Sequence, residues 1–284
     1  MKEEIRTLDR PGGARIAYGL ARGDAPRPLL VLAHGMGSNM TRWSEFLAQT
    51  RLVRGWDLMR LDLRGHGRSF WRGRTGMEIW CDDLAAILDA ERYERAVVGG
   101  HCLGANFALY FAHRHARRTL GLVLVEPMPR EAQSGSLRRL RALAPLFRLA
   151  AGGIRALNAL GLRRRRLPFL DLEALDAASR QNKETISRVY ASPLFDLRFM
   201  PSAAYLQDLV ELWRPLPPLK TIGAPTLALA STGARFTEPA AVAQALRALP
   251  RLTLEHIEAL HWIPTEQPKR MREAIERWCE RLLK

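Results

Sequence analysis

The sequence has few cysteines. Its 284 residues contain only three, Cys81, Cys102 and Cys279, and they lie far apart in the chain. An odd number of widely spaced cysteines is not typical of a disulfide-stabilised protein. Cys81 and Cys279 lie on apolar, helix-like stretches, and we expect both to be small buried hydrophobic residues. Cys102 differs because it lies in a glycine-rich segment.

Long apolar runs are also missing. No stretch approaches the roughly 20 consecutive apolar residues that span a bilayer. The N-terminal segment MKEEIRTLDRPGG is polar and lacks the apolar centre of a signal peptide. We therefore expect a soluble cytoplasmic protein. Hydrophobic residues make up 47% of the chain, which predicts a folded protein with a sizeable core.

Acidic residues are absent from one long segment. The net charge is +15, and no acidic residue occurs between Glu131 and Asp171. Nine arginines lie in that segment and account for more than half of the net charge: Arg138, Arg139, Arg141, Arg148, Arg155, Arg163, Arg164, Arg165 and Arg166. A local excess of this kind indicates one basic surface rather than a nucleic-acid-binding fold. Aromatic residues make up only 7% of the chain and are not interleaved with these arginines, so we expect no nucleic-acid partner.

Apolar runs that end in loops alternate with helix-like segments along most of the chain. After two short strands around the turn RPGGA, six runs read as strands: RPLLVLAHGMG, WDLMRLDLRGHG, RAVVGG, LGLVLVEP, APTLALAS and RLTLEHIEA. Strands that alternate with helices imply right-handed crossovers and a mostly parallel sheet flanked by helices. We therefore predict an α/β core formed by residues 1–127 and 216–284.

Residues 128–215 interrupt this alternation. The segment is helix-rich and basic, and we interpret it as a helical cap inserted over the carboxyl ends of the strands. Four of its apolar residues lie near helical spacing with arginines on the other face: Leu137, Leu140, Phe147 and Ile154. The simplest interpretation is a helix packed on the core with a solvated basic face. The other interpretations are contact with anionic lipid headgroups, with an acidic carrier protein, or with coenzyme A phosphates.

The segment AVVGGHCLGANFALY predicts a strand, a tight turn and a helix, with Cys102 at the turn. Gly100 and Gly104 have no Cβ, so the strand and helix can pack closely around a strained residue between them. The strain exposes the central side chain above the sheet, and the amino end of the helix directs free amides at negative charge that forms there. We therefore interpret Cys102 as a candidate nucleophile.

Three further motifs follow the predicted strands in a characteristic order. HGMG follows the third strand, DLRGHGRS the fourth, and ALHWIPTEQP the last, which places His261 just before the final helix. With these motifs and G-x-C-x-G, residues 26–127 and 222–284 resemble the α/β-hydrolase fold superfamily. The resemblance implies that His261 is the general base and that the backbone amides of Met36 and Leu103 form the oxyanion hole. We expect His34 and His101 to hold loop backbone by hydrogen bonds.

The sequence departs from the common pattern of this superfamily at two positions. The central residue of the turn is Cys102 rather than serine, as in similar turns of dienelactone hydrolases, polyhydroxyalkanoate synthases and some acyltransferases. The usual aspartate after the seventh strand is replaced by Ala234, and Glu238 comes too late in the chain to substitute for it. Glu126, at the end of the sixth strand, is in the position where some haloalkane dehalogenases keep their acid. Because adjacent strands lie about 4.8 Å apart, its long side chain can reach a neighbouring histidine, and we predict a Cys102–His261–Glu126 triad.

These residues predict an acyl-transfer enzyme. It would be an esterase, a thioesterase or an acyltransferase that acts on a lipophilic ester or thioester, free or carried by coenzyme A or a carrier protein, through an acyl-thioester intermediate. The alternative is a catalytically degenerate protein of the same fold that binds a hydrophobic ligand. Dehalogenase or epoxide hydrolase chemistry fits poorly because it uses a carboxylate nucleophile. Neither a metal-ligand cluster nor a dinucleotide-binding fingerprint occurs, so we expect no cofactor and no metal.

Overall fold

One mixed sheet runs through the protein. The computed structural model describes residues 2–162, 167–179, 190, 192–233 and 235–283. The strands are, in chain order, β1 Glu3–Arg10, β2 Ala14–Ala21, β3 Leu29–Ala33, β4 Asp57–Leu61, β5 Ala96–His101, β6 Thr119–Val125, β7 Thr226–Ser231 and β8 Leu252–Ile257. Their spatial order is β1-β2-β4-β3-β5-β6-β7-β8. The pairs β1–β2 and β2–β4 are antiparallel, and the remaining neighbours are parallel, as the alternation of strands and helices predicts.

Helices cover both faces of the sheet and fill the interval between β6 and β7. They are α1 Ser44–Gln49, α2 Met77–Ala90, α3 Leu103–Arg114, α4 Gly135–Leu140, α5 Ala144–Ala159, α6 Leu172–Ser179, α7 Pro193–Asp196, α8 Ser202–Leu212, α9 Pro239–Leu246, α10 Ile263–Glu266 and α11 Pro268–Leu282. No helix within the described ranges combines the length and apolar character that crossing a membrane requires. Arg163, Arg164, Arg165 and Arg166 lie outside the described residues.

The core has two layers, one on each face of the sheet. Side chains alternate along each strand, so Val31 of β3 packs in the layer that contains Trp80 of α2. Its neighbour Leu32 points to the opposite layer, which contains Phe46 of α1 and Trp278 of α11. Cys81 and Cys279 are both buried, as predicted. Burial of the sheet on both faces is the reason that the parallel strands read as nearly continuous apolar runs.

Helix α8 is one attachment of the helices between β6 and β7 to the rest of the protein. The loop after β4 carries His66, and its Nε2 lies 2.7 Å from Oδ2 of Asp208 on α8. Helix α5 in turn packs against α8, and the ring of Phe147 stacks on that of Trp213 with centroids 5.5 Å apart. This arrangement places α4, α5 and α8 beside the carboxyl ends of the central strands.

Candidate active site

Cys102 lies at a strained turn between β5 and α3. Its backbone angles are φ 54° and ψ −112°, in a region that side chains rarely adopt. The turn is fixed by hydrogen bonds, since the amide of Cys102 donates to the carbonyl of Val125 at 2.9 Å and its carbonyl accepts from Ala105 at 3.0 Å. The residue is 7% exposed. The strained turn therefore holds the side chain of Cys102 at the edge of the sheet, between the end of β5 and the amino end of α3.

The two glycines of the G-x-C-x-G motif permit close backbone contacts on either side of this turn. A Cβ added to Gly100 would lie 2.6 Å from the carbonyl oxygen of Ala33 on β3. A Cβ added to Gly104 would lie 2.5 Å from the carbonyl oxygen of His34. Both distances are far below van der Waals contact and involve backbone, which cannot rotate away. The glycines are therefore required by the packing of β3, β5 and α3 around Cys102.

His261 lies between Cys102 and Glu126. Its Nδ1 is 3.1 Å from Oε2 of Glu126, which leaves Nε2 free, and its ring lines the same cavity as the thiol of Cys102. Burial of the ring favours the neutral form, but the hydrogen bonds to Cys102 and Glu126 outweigh it and raise the pKa of His261 to about 10. The structure thus brings together the three residues that the sequence predicts as a triad.

Glu126 is held from two sides. Its backbone also has a positive φ, 53°, immediately after β6. Its amide donates to the carbonyl of Leu229 at 2.8 Å, and its Oε1 accepts a short hydrogen bond from the amide of Ser231. Both partners belong to β7, so the carboxylate is fixed against the neighbouring strand while Oε2 remains directed at His261. Ala234 lies outside the described residues.

The loop after β3 packs directly on Cys102. A Cβ added to Gly35 would lie 3.3 Å from Cβ of Cys102, and the next residue, Met36, lines the same cavity as the thiol. Leu103 is the first residue of α3, where backbone amides have no partner within the helix. Within the described part of the chain, neither the Met36 amide nor the Leu103 amide donates to another protein group. Both are available to a ligand oxygen.

Two neutral histidines support the loops around the site. His34 Nε2 accepts from the Leu63 amide at 3.1 Å, so its Nδ1 carries the proton and donates to the carbonyl of Gly35 at 2.7 Å. His101 Nε2 lies 3.1 Å from the carbonyl of His261. Burial, reinforced by a neighbouring imidazole, holds the pKa of each well below its ordinary value. Their contacts with loop backbone are of the kind that the sequence predicts.

The comparisons with known proteins agree with this architecture. The sequence profile of the family described as serine aminopeptidase, S33, matches residues 24–267. The chain belongs to this family. Its α/β-hydrolase fold is shared with a hydrolase from Pseudomonas aeruginosa PA01, at 21% identity and a TM-score of 0.71 over 97% of this chain and 98% of the other. A thermophilic esterase from Thermogutta terrifontis is similar, at 22% identity and a TM-score of 0.69 over 99% of each chain.

The similarity in sequence to curated proteins is more limited. Epoxide hydrolase 3 of Xenopus tropicalis is 34% identical over 124 residues, which is 43% of this chain and 32% of that protein. The match therefore spans about a third of the length of the curated relative. Similarity at this level supports membership of a family of α/β hydrolases. It assigns neither the nucleophile nor the substrate.

A cavity of about 400 Å³ lies next to the thiol of Cys102. Cys102, His261 and Met36 form its floor, and side chains from the helices between β6 and β7 form its walls. The walls are largely apolar and include Leu137, Leu140, Phe147, Leu206, Leu209 and Leu212. A cavity of this size and character accepts a small apolar chain.

Three residues at the cavity were not singled out by the sequence. Phe236 packs edge-on against His261 with ring centroids 4.9 Å apart. Arg42 is buried, and its Nη1 lies 2.5 Å from Oδ2 of Asp176, which anchors α6 beside the loop after β3. Asp196 of α7 lines the cavity next to Gly37. No motif or spacing in the sequence distinguishes these three residues.

The described residues contain no group of three or more His, Cys, Asp or Glu side chains arranged to hold a metal ion. The groups described around Cys102 are a thiol, an imidazole, a carboxylate and two free amides.

Proposed function

We propose that the protein is an acyl-transfer enzyme that acts on lipophilic esters or thioesters through the thiol of Cys102. The observation that carries this proposal is the strained Cys102, which lines one cavity with an imidazole that is itself held 3.1 Å from a carboxylate. A nucleophile beside a base that is oriented by a third group is the arrangement that covalent catalysis requires.

The first chemical step forms an acyl-thioester. His261, whose pKa is raised by its interactions with Cys102 and Glu126, takes the thiol proton, so Sγ of Cys102 attacks the substrate carbonyl carbon as a thiolate. The carbonyl π electrons move to oxygen and give a tetrahedral oxyanion. When this intermediate collapses, the bond to the leaving alkoxide or thiolate breaks, and the imidazolium of His261 gives that group its proton.

The oxyanion forms next to the free amides of Met36 and Leu103. The amide of Leu103 also lies at the amino end of α3, where the helix dipole favours negative charge. Loss of one such donor typically costs about 3 kcal/mol of transition-state stabilisation. The close contact of Gly35 with Cys102 supports this assignment because it fixes the distance between the loop after β3 and the thiol.

The second step releases the acyl group. A water molecule, an alcohol, an amine or another thiol attacks the acyl-thioester, and neutral His261 accepts the proton of the attacking group. Cys102 then leaves as a thiolate. A thioester reacts more readily with such acceptors than an oxyester does, so a cysteine nucleophile is compatible with transfer to an organic acceptor as well as with hydrolysis.

The walls of the cavity support an apolar acyl chain as the substrate. Leucine and phenylalanine side chains dominate the side formed by α4, α5 and α8. Burial of each methylene of an acyl chain there contributes about 0.8 kcal/mol. Chain length should therefore affect binding until the cavity is full.

The experiment is detection of the covalent intermediate. Incubation with p-nitrophenyl butyrate or with an acyl-coenzyme A should add one acyl mass to the intact protein, and peptide mapping should place it on Cys102 rather than on the buried Cys81 or Cys279. The Cys102→Ala variant should show neither the adduct nor turnover. A wild-type protein that forms no adduct and turns over no ester of any chain length would instead be a ligand-binding member of the fold.

A further inference from the structure

The outer face of α5 is apolar and exposed. Leu146, Leu149, Leu157 and Leu160 are 57%, 74%, 48% and 77% exposed. At about 100° per residue, these four side chains fall within an arc of about 80° on the helix. The opposite side of α5, with Phe147 and Ala151, packs against the rest of the protein. Helix α5 therefore presents leucine to solvent and packs Phe147 and Ala151 inward.

This concentration of exposed leucine is local. The described residues contain 13 exposed large hydrophobic side chains, and seven of them lie in one short segment: Leu140, Leu143, Leu146, Leu149, Leu157, Leu160 and Leu162. For this segment the sequence left open a solvated basic face or contact with anionic lipid, an acidic carrier protein or coenzyme A phosphates, and the structure adds exposed leucines to the arginines. Apolar surface concentrated in this way indicates an interaction site.

Unpaired positive charge accompanies the leucines. Arg138 and Arg139 of α4 and Arg148 of α5 are exposed, and none of the three forms an ion pair or hydrogen bond with any described side chain. The segment from 132 to 170 contains no acidic residue. Two copies of this chain that met through this face would therefore place arginine against arginine. A surface of anionic lipid headgroups complements both the leucines and the charge.

We propose that α4 and the outer face of α5 dock on an anionic lipid surface. The exposed leucines enter the boundary between headgroups and acyl chains, while Arg138 and Arg139 contact lipid phosphates. The same helices form a wall of the catalytic cavity, and Leu140 belongs both to the exposed set and to the cavity lining. Docking would thus place the cavity next to the membrane, so that, on the proposed function, a lipophilic ester could enter it from the lipid.

Vesicle co-sedimentation of the full-length protein tests the docking without depending on catalysis. The protein should bind phosphatidylcholine vesicles that contain phosphatidylglycerol, bind poorly to phosphatidylcholine alone, and be released by salt. The Arg138→Gln/Arg139→Gln variant should lose about five-fold in partition per arginine removed. The Leu149→Ser/Leu160→Ser variant should lose at least as much. Leu283→Ser and Arg251→Gln, which change exposed residues outside this segment, should bind like the wild type.

Two results would contradict the proposed docking. Equal binding of the leucine variant and the wild type would show that this face does not contact lipid. Concentration-dependent dimerisation in light scattering, abolished by Leu149→Ser/Leu160→Ser, would assign the face to a second copy of the chain. Hydrolysis of soluble p-nitrophenyl butyrate should be unchanged in all four variants. A protein that binds vesicles but hydrolyses no ester would retain this inference and remove the proposed function instead.

Discussion

His261 and Glu126 are in hydrogen-bond contact although their strands are not neighbours. Glu126 follows β6, His261 lies in the loop after β8, and β7 separates the two strands. The 3.1 Å contact between Nδ1 and Oε2 is possible because the glutamate side chain extends over the end of β7, where the Ser231 amide holds its other oxygen. The carboxylate thus follows β6 and not β7, after which the aspartate of similar proteins usually comes, and it still contacts the imidazole of His261.

The first prediction concerns this contact. Glu126→Gln should lower kcat/KM by about 10²–10⁴-fold, because the amide cannot stabilise the imidazolium of His261. Glu126→Asp, which keeps the charge but shortens the side chain by one methylene, should also be strongly impaired. Steady-state kinetics on p-nitrophenyl esters, with circular dichroism as a check of folding, measures both. Full activity of Glu126→Gln would remove Glu126 from the triad.

The second prediction concerns the reactivity of Cys102. His261 lies beside Cys102, and its raised pKa makes the imidazole a good acceptor for the thiol proton. Iodoacetamide should therefore alkylate Cys102 selectively at neutral pH. The His261→Ala variant should react at least about ten-fold more slowly, and raising the pH should restore much of its rate. Mass spectrometry of time points gives the rates, and equal rates for both proteins at pH 7 would contradict the thiolate–imidazolium pair.

The third prediction compares two glycines. Gly104→Ala should destabilise the protein by about 1–3 kcal/mol or prevent folding, because the new methyl group overlaps the backbone of His34. Gly153→Ala in α5 has no atom within 4 Å of the new methyl group. It should stabilise the protein by about 0.5–1 kcal/mol through higher helix propensity. Urea denaturation measures both, and similar effects at the two positions would be inconsistent with the packing around Cys102.

The fourth prediction concerns Asp196 and pH. Burial, together with the charge of Asp208, raises the pKa of Asp196 to about 8 in the folded protein. The unfolded chain releases this proton near pH 4, so the contribution of Asp196 to stability is fully present below pH 4 and is lost as the pH rises to 8. Asp196→Asn should therefore match the wild type at pH 4 and be more stable at pH 8 and above, by up to about 5 kcal/mol.

Thermal unfolding across this pH range tests the effect at Asp196. Asp24→Asn, which changes an exposed carboxylate, is the matched control and should show no such dependence on pH. A difference in Tm between Asp196→Asn and the wild type that stays constant from pH 4 to pH 9 would show that the carboxyl of Asp196 ionises normally in the folded protein.

The sequence by itself determined the sheet and the place of its loops. Apolar runs such as 29–33 form strands buried on both faces, and the spacing of Gly100 and Gly104 around Cys102 fixes the turn because only glycine tolerates those backbone contacts. These features can be predicted from the sequence because each depends on residues that lie close together in the chain. The positions of Met36, Leu103 and His261 follow from the order of the strands, which the same motifs indicate.

Only the tertiary structure decided which distant side chains meet. Asp196 comes to the cavity through α7, His66 pairs with Asp208 from another part of the chain, and Phe236 packs on His261. None of these contacts has a periodic or local signal, because each depends on how the helices between β6 and β7 fold back over the sheet. The exposure of leucine on α5 also depends on how these helices pack. The sequence of α5 has apolar residues on two sides, and the pattern alone does not show which side packs against the protein and which faces solvent.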